Sequence, residues 1–306
     1  MIINKLIAVA GATGFIGRHL VNAFLNRGDK VIIISRDVKK GELIFPNVKD
    51  VITYNSHYIG VLNKCHTIIN LAGAEILKQR WTESYKNIII NSRINSTKQL
   101  IDLISKLDKK PECFINASAI GYYGSSQDIT FTEDNPAGTD FLAQVCRKWE
   151  KEAEKVLTQN IRQVSVRIGI VLDKNGGALK KMLLPFYLFI GGPIANGKQW
   201  FSWIHIKDLI DIFLHAVDNQ NITGSINASA PNPVTNKQFA QSLGKVLNRP
   251  SFFAVPKFAL QLLYGEGANT LTIGNRVIPQ KALTTGYKFL FPTLEEALKI
   301  ILNVEG

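Results

Sequence analysis

The chain has 306 residues, of which 46% are hydrophobic and 20% charged, the composition of a globular protein long enough to bury a core without staples. The formal net charge is +12, yet the basic residues come as pairs such as Lys39-Lys40, Lys109-Lys110 and Lys180-Lys181, with acidic residues scattered between. This pattern reads as a solvated surface that favours anionic ligands, and no nucleic-acid motif accompanies it. Cys65, Cys113 and Cys146 have neither metal-ligand spacing nor the even count of a disulfide framework, so they are expected to be buried free thiols, with no metal.

In chain order, short β-rich runs alternate with helical patterns. Residues 6–10 read as a buried strand, 14–27 as a helix and 30–35 as a second strand. Further strands are expected at 67–71, 113–118 and 163–170, and helices at 82–107 and 140–157. Strands that are apolar almost throughout are buried on both faces, as in parallel sheets. The alternation predicts right-handed βαβ units and an α/β, doubly wound parallel sheet of the Rossmann kind over residues 1–172. Beyond Leu172, Gly176-Gly177, Gly191-Gly192-Pro193 and Pro231-Asn232-Pro233 punctuate shorter elements. A smaller substrate-capping lobe is therefore expected over 173–306, with the chain returning to the first domain at about 200–228. No leader pattern opens the sequence, and the apolar stretch at 182–195 is too short and too broken to span a bilayer. A cytoplasmic protein with neither a membrane nor a nucleic acid as partner is expected.

The first strand runs into Gly11-Ala12-Thr13-Gly14-Phe15-Ile16-Gly17, which opens the first helix. The first glycine permits a tight turn, the second lets the backbone approach a pyrophosphate, and the third lets helix and strand pack closely. The helix N-terminus then presents free N–H groups and a positive dipole end to the phosphates. This is a dinucleotide-binding pattern. At the tip of the second strand, where a carboxylate would bind the ribose of NAD, stand Ser35 and Arg36. A hydroxyl and a guanidinium suit a 2′-phosphate, so the cofactor expected is NADP(H). Asp37 comes one residue late and reads as a surface partner of Arg36.

The glycine loop, the strand end Asn70-Leu71-Ala72-Gly73-Ala74 and the strand end at Ser118 resemble the extended short-chain dehydrogenase/reductase superfamily. Asn91-Ser92-Arg93, Ser118-Ala119-Ile120-Gly121-Tyr122-Tyr123-Gly124, Arg167-Ile168-Gly169-Ile170-Val171-Leu172, Ser202-Trp203-Ile204-His205 and Gly274-Asn275-Arg276-Val277-Ile278-Pro279 narrow the likeness. Together they resemble an atypical subgroup known as epimerase family proteins, with a C-terminal domain of unknown function. The resemblance implies that Gly11, Thr13, Gly14, Phe15, Ile16, Gly17, Ser35, Arg36, Leu71, Ala72, Gly73, Arg93, Ser118 and Ile170 line the NADP site.

Ordinary members of that superfamily use a Tyr-x-x-x-Lys pair, in which the ammonium lowers the tyrosine pKa for proton transfer. None of the eight tyrosines here is followed four residues later by lysine. Leu142 and Cys146 take the two slots, and Lys148 lies off the helix's apolar face. Ser118 and Tyr122 are the remaining catalytic candidates. Ser118 either donates to a substrate oxygen or closes its strand locally. Tyr122 and Tyr123 either face the pocket or pack. His205 either acts as a general acid or, the favoured reading, orders the chain's return to the sheet. Trp200, Phe201 and Trp203 either wall a pocket or fill the join between lobes. Two functions follow: an NADP(H)-dependent oxidoreductase or epimerase-like enzyme acting on an unidentified small molecule, or a non-catalytic NADP(H)-binding sensor or interaction module. The sequence leaves the oligomeric state open.

Overall fold

Runs such as Leu6-Ile7-Ala8-Val9-Ala10 and Val31-Ile32-Ile33-Ile34 have no polar face, so only the centre of a sheet covered on both sides can bury them. In the computed structural model, which describes residues 4–54 and 59–304, that is where they lie. The strands in chain order are β1 (Leu6–Ala10), β2 (Lys30–Ile34), β3 (Asp50–Ile52), β4 (Thr67–Asn70), β5 (Cys113–Ala119), β6 (Thr130–Phe131), β7 (Arg162–Ile168), β8 (Ile170–Asp173), β9 (Trp200–Phe201), β10 (Trp203–His205), β11 (Gly224–Ala228), β12 (Val234–Thr235) and β13 (Arg276–Val277). Seven of them form one sheet in the order β11-β7-β5-β4-β1-β2-β3. Every neighbouring pair in it is parallel.

The helices are α1 (Phe15–Asn26), α2 (Val38–Ile44), α3 (Ile59–Leu62), α4 (Glu83–Ser105), α5 (Phe141–Glu154), α6 (Gly177–Tyr187), α7 (Ile206–Asp218), α8 (Asn236–Leu247), α9 (Lys257–Tyr264), α10 (Asn269–Thr272), α11 (Gln280–Thr284) and α12 (Leu294–Leu302). Alternation along β1 sends Ile7 and Val9 to a core shared with Leu20 and Phe24 of α1 and Phe213 of α7. Ala8 and Ala10 face the opposite core, with Leu100 and Ile104 of α4 and Ala153 of α5. A third core joins Leu183 of α6, Trp203, Phe239 of α8 and Leu298 of α12.

Strand order reverses between β1 and β4, because β2 and β3 extend the sheet one way and β4, β5, β7 and β11 the other. Ligands of doubly wound sheets bind beyond the carboxyl ends of the strands at this reversal. Register sets Ala10 opposite Asn70, and Asn70 opposite Asn116. The loops that follow β1, β4 and β5 therefore leave one edge of the sheet together.

One expected strand is two. Residues 163–170 read as a single run, but the backbone breaks at Gly169, where a Cβ would lie 2.9 Å from the Ser202 carbonyl oxygen. β7 stays in the main sheet, while β8 pairs in parallel with β10. Ile170 thus opens a separate ribbon that leads into the C-terminal half.

His205 ends that ribbon and caps α7. Its Nδ1 accepts from the Lys207 N–H at 3.0 Å, and its ring lies 3.9 Å from that of Phe291. Next to it, the buried Asp208 carboxylate receives the Tyr287 hydroxyl and the N–H groups of Leu290 and Phe291, which ties the C-terminal segment to α7. Burial pushes the His205 pKa down to about 4, against the opposing pull of Asp208 and Asp173. The folded protein keeps this ring neutral while the unfolded chain takes up a proton near pH 6.5. Stability supplied by neutral His205 is complete above the unfolded pKa and is lost as pH falls from about 6.5 to about 4, by at most roughly 3 kcal/mol. Urea melts across this range will show that loss in the wild type and a flatter profile in His205→Asn; identical profiles would refute the assignment.

Candidate functional site

Gly11 leaves β1 at φ +78°, and a Cβ there would lie 2.7 Å from the Leu71 carbonyl carbon and 2.8 Å from the Ala72 nitrogen. The end of β4 thus presses directly on the loop. Gly17 is closed in from the helix side, since its Cβ would lie 2.5 Å from the Gly11 oxygen. Gly14 begins α1 with no side-chain cap, which leaves the first-turn N–H groups and the dipole end to an anion. The Thr13 carbonyl accepts from Arg18 Nε at 3.0 Å. Phe15 turns its ring onto Gly176, where a Cβ would fall 2.3 Å from it, so the start of α6 packs on the loop. Ile16 is half-buried against the same core.

At the tip of β2, the Ser35 hydroxyl accepts from the Asp37 N–H and donates to the Asp37 carbonyl. The Asp37 carboxylate caps α2 by accepting from the Lys40 N–H at 3.0 Å. Asp37 is therefore a helix cap and not the surface partner of Arg36 that the sequence suggested. Arg36 is exposed, and its charge reaches Tyr54.

Beyond β4, the Leu71 N–H donates to the Ala10 carbonyl and the Ala72 N–H to Asn70 Oδ1. Asn70 is itself fixed, donating to Thr97 Oγ1 at 2.9 Å and Asn116 Oδ1 at 2.8 Å. Gly73 lies on Arg93, whose Cζ would be 3.2 Å from a Cβ there. The Arg93 guanidinium is buried, donates to the Ile89 carbonyl and sits 5.1 Å from the Trp149 ring. Burial lowers its pKa, and among the described residues no carboxylate offsets that cost. A buried cation without a counter-charge, on the edge where the glycine loop opens, is suited to an anionic ligand.

A cavity of about 260 Å³ lies between the end of β5 and the start of β8. Trp81, Ile120, Phe141, Leu142, Ile170 and Trp200 give it apolar walls. Its far wall is the segment 269–275, held there by Asn275, which donates to the carbonyls of Ile120 and Gly124. At Gly274 a Cβ would lie 2.0 Å from the Trp200 oxygen, so no other residue fits. Two carboxylates reach this cavity, and both are engaged. Asp140 caps α5 by accepting from Ala143, and Glu266 pairs with Lys86. Of the two slots on α5, Leu142 faces Gly121 and the cavity, while burial holds the Cys146 thiol up at about 11. Lys148 is exposed.

Ser118 and Tyr122 are elsewhere. Ser118 is 3% exposed and donates to Glu150 Oε1 at 2.6 Å. The Tyr122 ring lies 3.4 Å from the centre of the Arg167 guanidinium. Both belong to a buried network in which Arg167 makes two bonds of 2.9 Å to Glu150 and one of 2.8 Å to the Tyr123 hydroxyl, which in turn donates to Asn227. Neither lines the cavity. The alternatives left open by the sequence thus separate: Ser118 turns inward, Tyr122 and Tyr123 pack, Trp200 walls the cavity, and Phe201 and Trp203 enter the third core. Sequence reasoning missed Glu150 and Arg167. The signal was there, because Glu150 lies four residues beyond Cys146 on the apolar face of α5. Arg167 is the only charge in the strand run Val164-Ser165-Val166-Arg167-Ile168.

Comparison with known proteins agrees with this architecture. The family model described as NAD dependent epimerase/dehydratase matches residues 7–145, and one described as a domain of unknown function, DUF1731, matches residues 255–301. The chain is 41% identical over 303 residues to the Arabidopsis thaliana protein named epimerase family protein SDR39U1 homolog, chloroplastic, across 97% of this chain and 86% of that one. It is 39% identical over 297 residues to epimerase family protein YfhF of Bacillus subtilis, across 97% of each. The crystal structure of human epimerase family protein SDR39U1 with NADPH superimposes with a TM-score of 0.89 at 36% identity, across 98% of this chain and 100% of that one.

The Glu150–Arg167 pair makes a sharp stability prediction. Burial alone would depress the Arg167 pKa, but the hydrogen bonds and charge of Glu150 outweigh it and raise the pKa overall. Removing one partner of a buried pair leaves the other charge uncompensated, at a cost of about 3–5 kcal/mol. Glu150→Gln should lose stability of that order in chemical denaturation, and Ser118→Ala only about 1 kcal/mol. A near-neutral Glu150→Gln would show that the pair does not hold the strand ends together.

Proposed function

The chain belongs to the NAD dependent epimerase/dehydratase family, as an atypical short-chain dehydrogenase/reductase of the epimerase family protein group, and on that premise we propose that it binds NADP(H) and uses it on a small, largely apolar ligand. The observation that carries the cofactor assignment is the tip of β2. Asp37, the carboxylate that follows the tip, is committed to α2, while Arg36 is exposed beside Ser35. That arrangement favours a 2′-phosphate over a diol. The diphosphate is assigned to Gly11, Thr13, Gly14, Phe15, Ile16 and Gly17. Leu71, Ala72 and Gly73 would flank the ribose and nicotinamide half, with Arg93 beneath them and Ile170 on the cavity side. Ser118 is assigned a positioning role, through Glu150, rather than contact with the cofactor.

NADPH, when bound, supplies a hydride. The residues of this chain would hold the acceptor between aromatic walls, exclude water and orient it through backbone groups around Gly121, Gly124 and Gly274. They supply no Tyr-x-x-x-Lys pair, and the cavity's two carboxylates are already engaged. Ser118 and Tyr122 are accordingly proposed as structural and not as the proton donor. The same observation favours a second reading, a non-catalytic NADP(H)-binding sensor, in which the cavity recognises a ligand without turning it over.

Binding separates these claims. Arg36→Ala should weaken NADPH binding by about tenfold or more while leaving NADH nearly unchanged, as read by calorimetric titration. Equal losses for the two nucleotides would sink the NADP(H) assignment, and absence of any nicotinamide nucleotide binding would sink both readings. NADPH oxidation with a panel of carbonyl and conjugated compounds then decides between enzyme and sensor: turnover of any member supports the first, and tight binding without turnover the second.

A further inference from the structure

The cavity is not the only unusual surface. On α6 and at its C-terminal cap, Leu184 and Leu188 are 62% and 59% exposed, one helical turn apart. On α9, Phe258 and Leu262 are 73% and 76% exposed with the same spacing. The two rows flank a single backbone ladder, in which the Phe253 N–H bonds the Gly191 carbonyl and the Val255 N–H the Pro193 carbonyl. Phe252, also 73% exposed, projects from that ladder, its ring tilted against that of Phe253 at 4.4 Å between centroids. Large side chains this exposed, gathered from two helices and the turn between them, are more than the scattered apolar residues of an ordinary surface.

The segments that carry this face are basic in sequence. Residues 174–207 contain five lysines, residues 219–265 three lysines and one arginine, and neither segment contains an aspartate or glutamate. Some of this charge is answered from elsewhere, since Lys181 pairs with Glu75 and Lys245 with Glu295. Lys180 and Lys257 are exposed at the starts of the two rows, and Arg249 lies over the Phe189 ring.

We propose that this face docks the protein peripherally on an anionic lipid bilayer, with Leu184, Leu188, Phe252, Phe258 and Leu262 entering the interface and the lysines meeting the headgroups. Apolar and aromatic side chains flanked by lysine are the composition of an interfacial anchor, and lysine stems can lie along apolar surface while their charge reaches outward. A second copy of the chain would bring two faces of like charge together, which opposes self-association there. A bilayer needs no matching shape and supplies the missing negative charge. No helix among the described residues is long and apolar enough to cross a membrane, so the contact is with the surface only. The proposal departs from the sequence-based expectation of no membrane partner, because it concerns lying on a bilayer and not spanning it.

Flotation of the full-length protein with vesicles tests this. One set is phosphatidylcholine alone, and the other carries added phosphatidylserine. The wild type should float with the second set at low salt and much less at high salt. Phe258→Ser combined with Leu262→Ser should lower the partition coefficient by about tenfold or more at unchanged melting temperature, because both side chains are exposed in the free protein. Lys180→Glu combined with Lys257→Glu should do the same through charge. Nucleotide binding should be unaffected in each, so this result is independent of the cofactor assignment. Recruitment that ignores the apolar substitutions would be mere adsorption of a basic protein and would overturn the proposal. So would failure to float with either set, which would leave the face to a protein partner. A dimer in sedimentation velocity that the apolar variants dissolve would assign it to a second copy.

Discussion

A carboxylate and a guanidinium, both almost fully buried, hold the cavity end of this molecule together. Glu150 comes from α5 and Arg167 from β7. Through them are joined the end of β5 at Ser118, the turn that carries Tyr122 and Tyr123, and the edge strand β11 at Asn227. Each partner would be costly alone in this environment, so the elements that carry them must arrive together. The superfamily resemblance implies a tyrosine and a lysine on this helix. Here its inward face carries Leu142, Cys146 and Glu150. The last of these is turned into the protein and not toward a ligand. The helix has kept its place in the fold while its polar chemistry has become structural.

That exchange shapes what the cavity can do. With Ser118 bound to Glu150 and Tyr122 under Arg167, neither lines the space beyond β5, whose walls are aromatic rings, aliphatic side chains, backbone and a few polar side chains. Such apolar walls exclude water, while the side chains of Ser125, Ser202, Asn269 and Thr270 and the two engaged carboxylates supply the polar part of the lining. The C-terminal segment matters for the same reason. Asn275 is the clamp on the turn after β5, and Gly274 allows Trp200 to close the far side. A region whose role no motif explains is, in this structure, part of the cavity wall.

The sheet was legible in the sequence because its signals are local: nearly continuous apolar runs for β1, β2, β4 and β5, and three glycines in the order strand, loop, helix. The glycine loop and the tip of β2 could be read because each role depends on one residue type at one place. The rest depended on partners far apart in the chain. β11, Gly224-Ser225-Ile226-Asn227-Ala228, is half polar, and its burial is met by distant partners: Asn227 accepts from the Tyr123 hydroxyl and donates to Glu133 and to the Ile278 carbonyl. The break at Gly169 is imposed by the Ser202 carbonyl, which a strand pattern does not reveal. Asp37 looked like a surface charge until α2 was seen to begin there. Ser118 stood at the position expected of a donor. The direction of its hydroxyl is decided by Glu150, 32 residues later, and no spacing rule connects the two.

The two surfaces that distinguish this chain are continuous in sequence. α9, whose exposed row is assigned to a bilayer, runs directly into Glu266, Asn269, Thr270 and Ile273, which line the cavity. A protein docked by α6 and α9 would hold the rim of that cavity near the headgroup layer. An apolar ligand could then pass between bilayer and cavity without crossing bulk water, where its solubility would limit the rate of arrival. The aromatic walls, the lack of a resident Tyr-x-x-x-Lys pair and the basic apolar face fit together on this view.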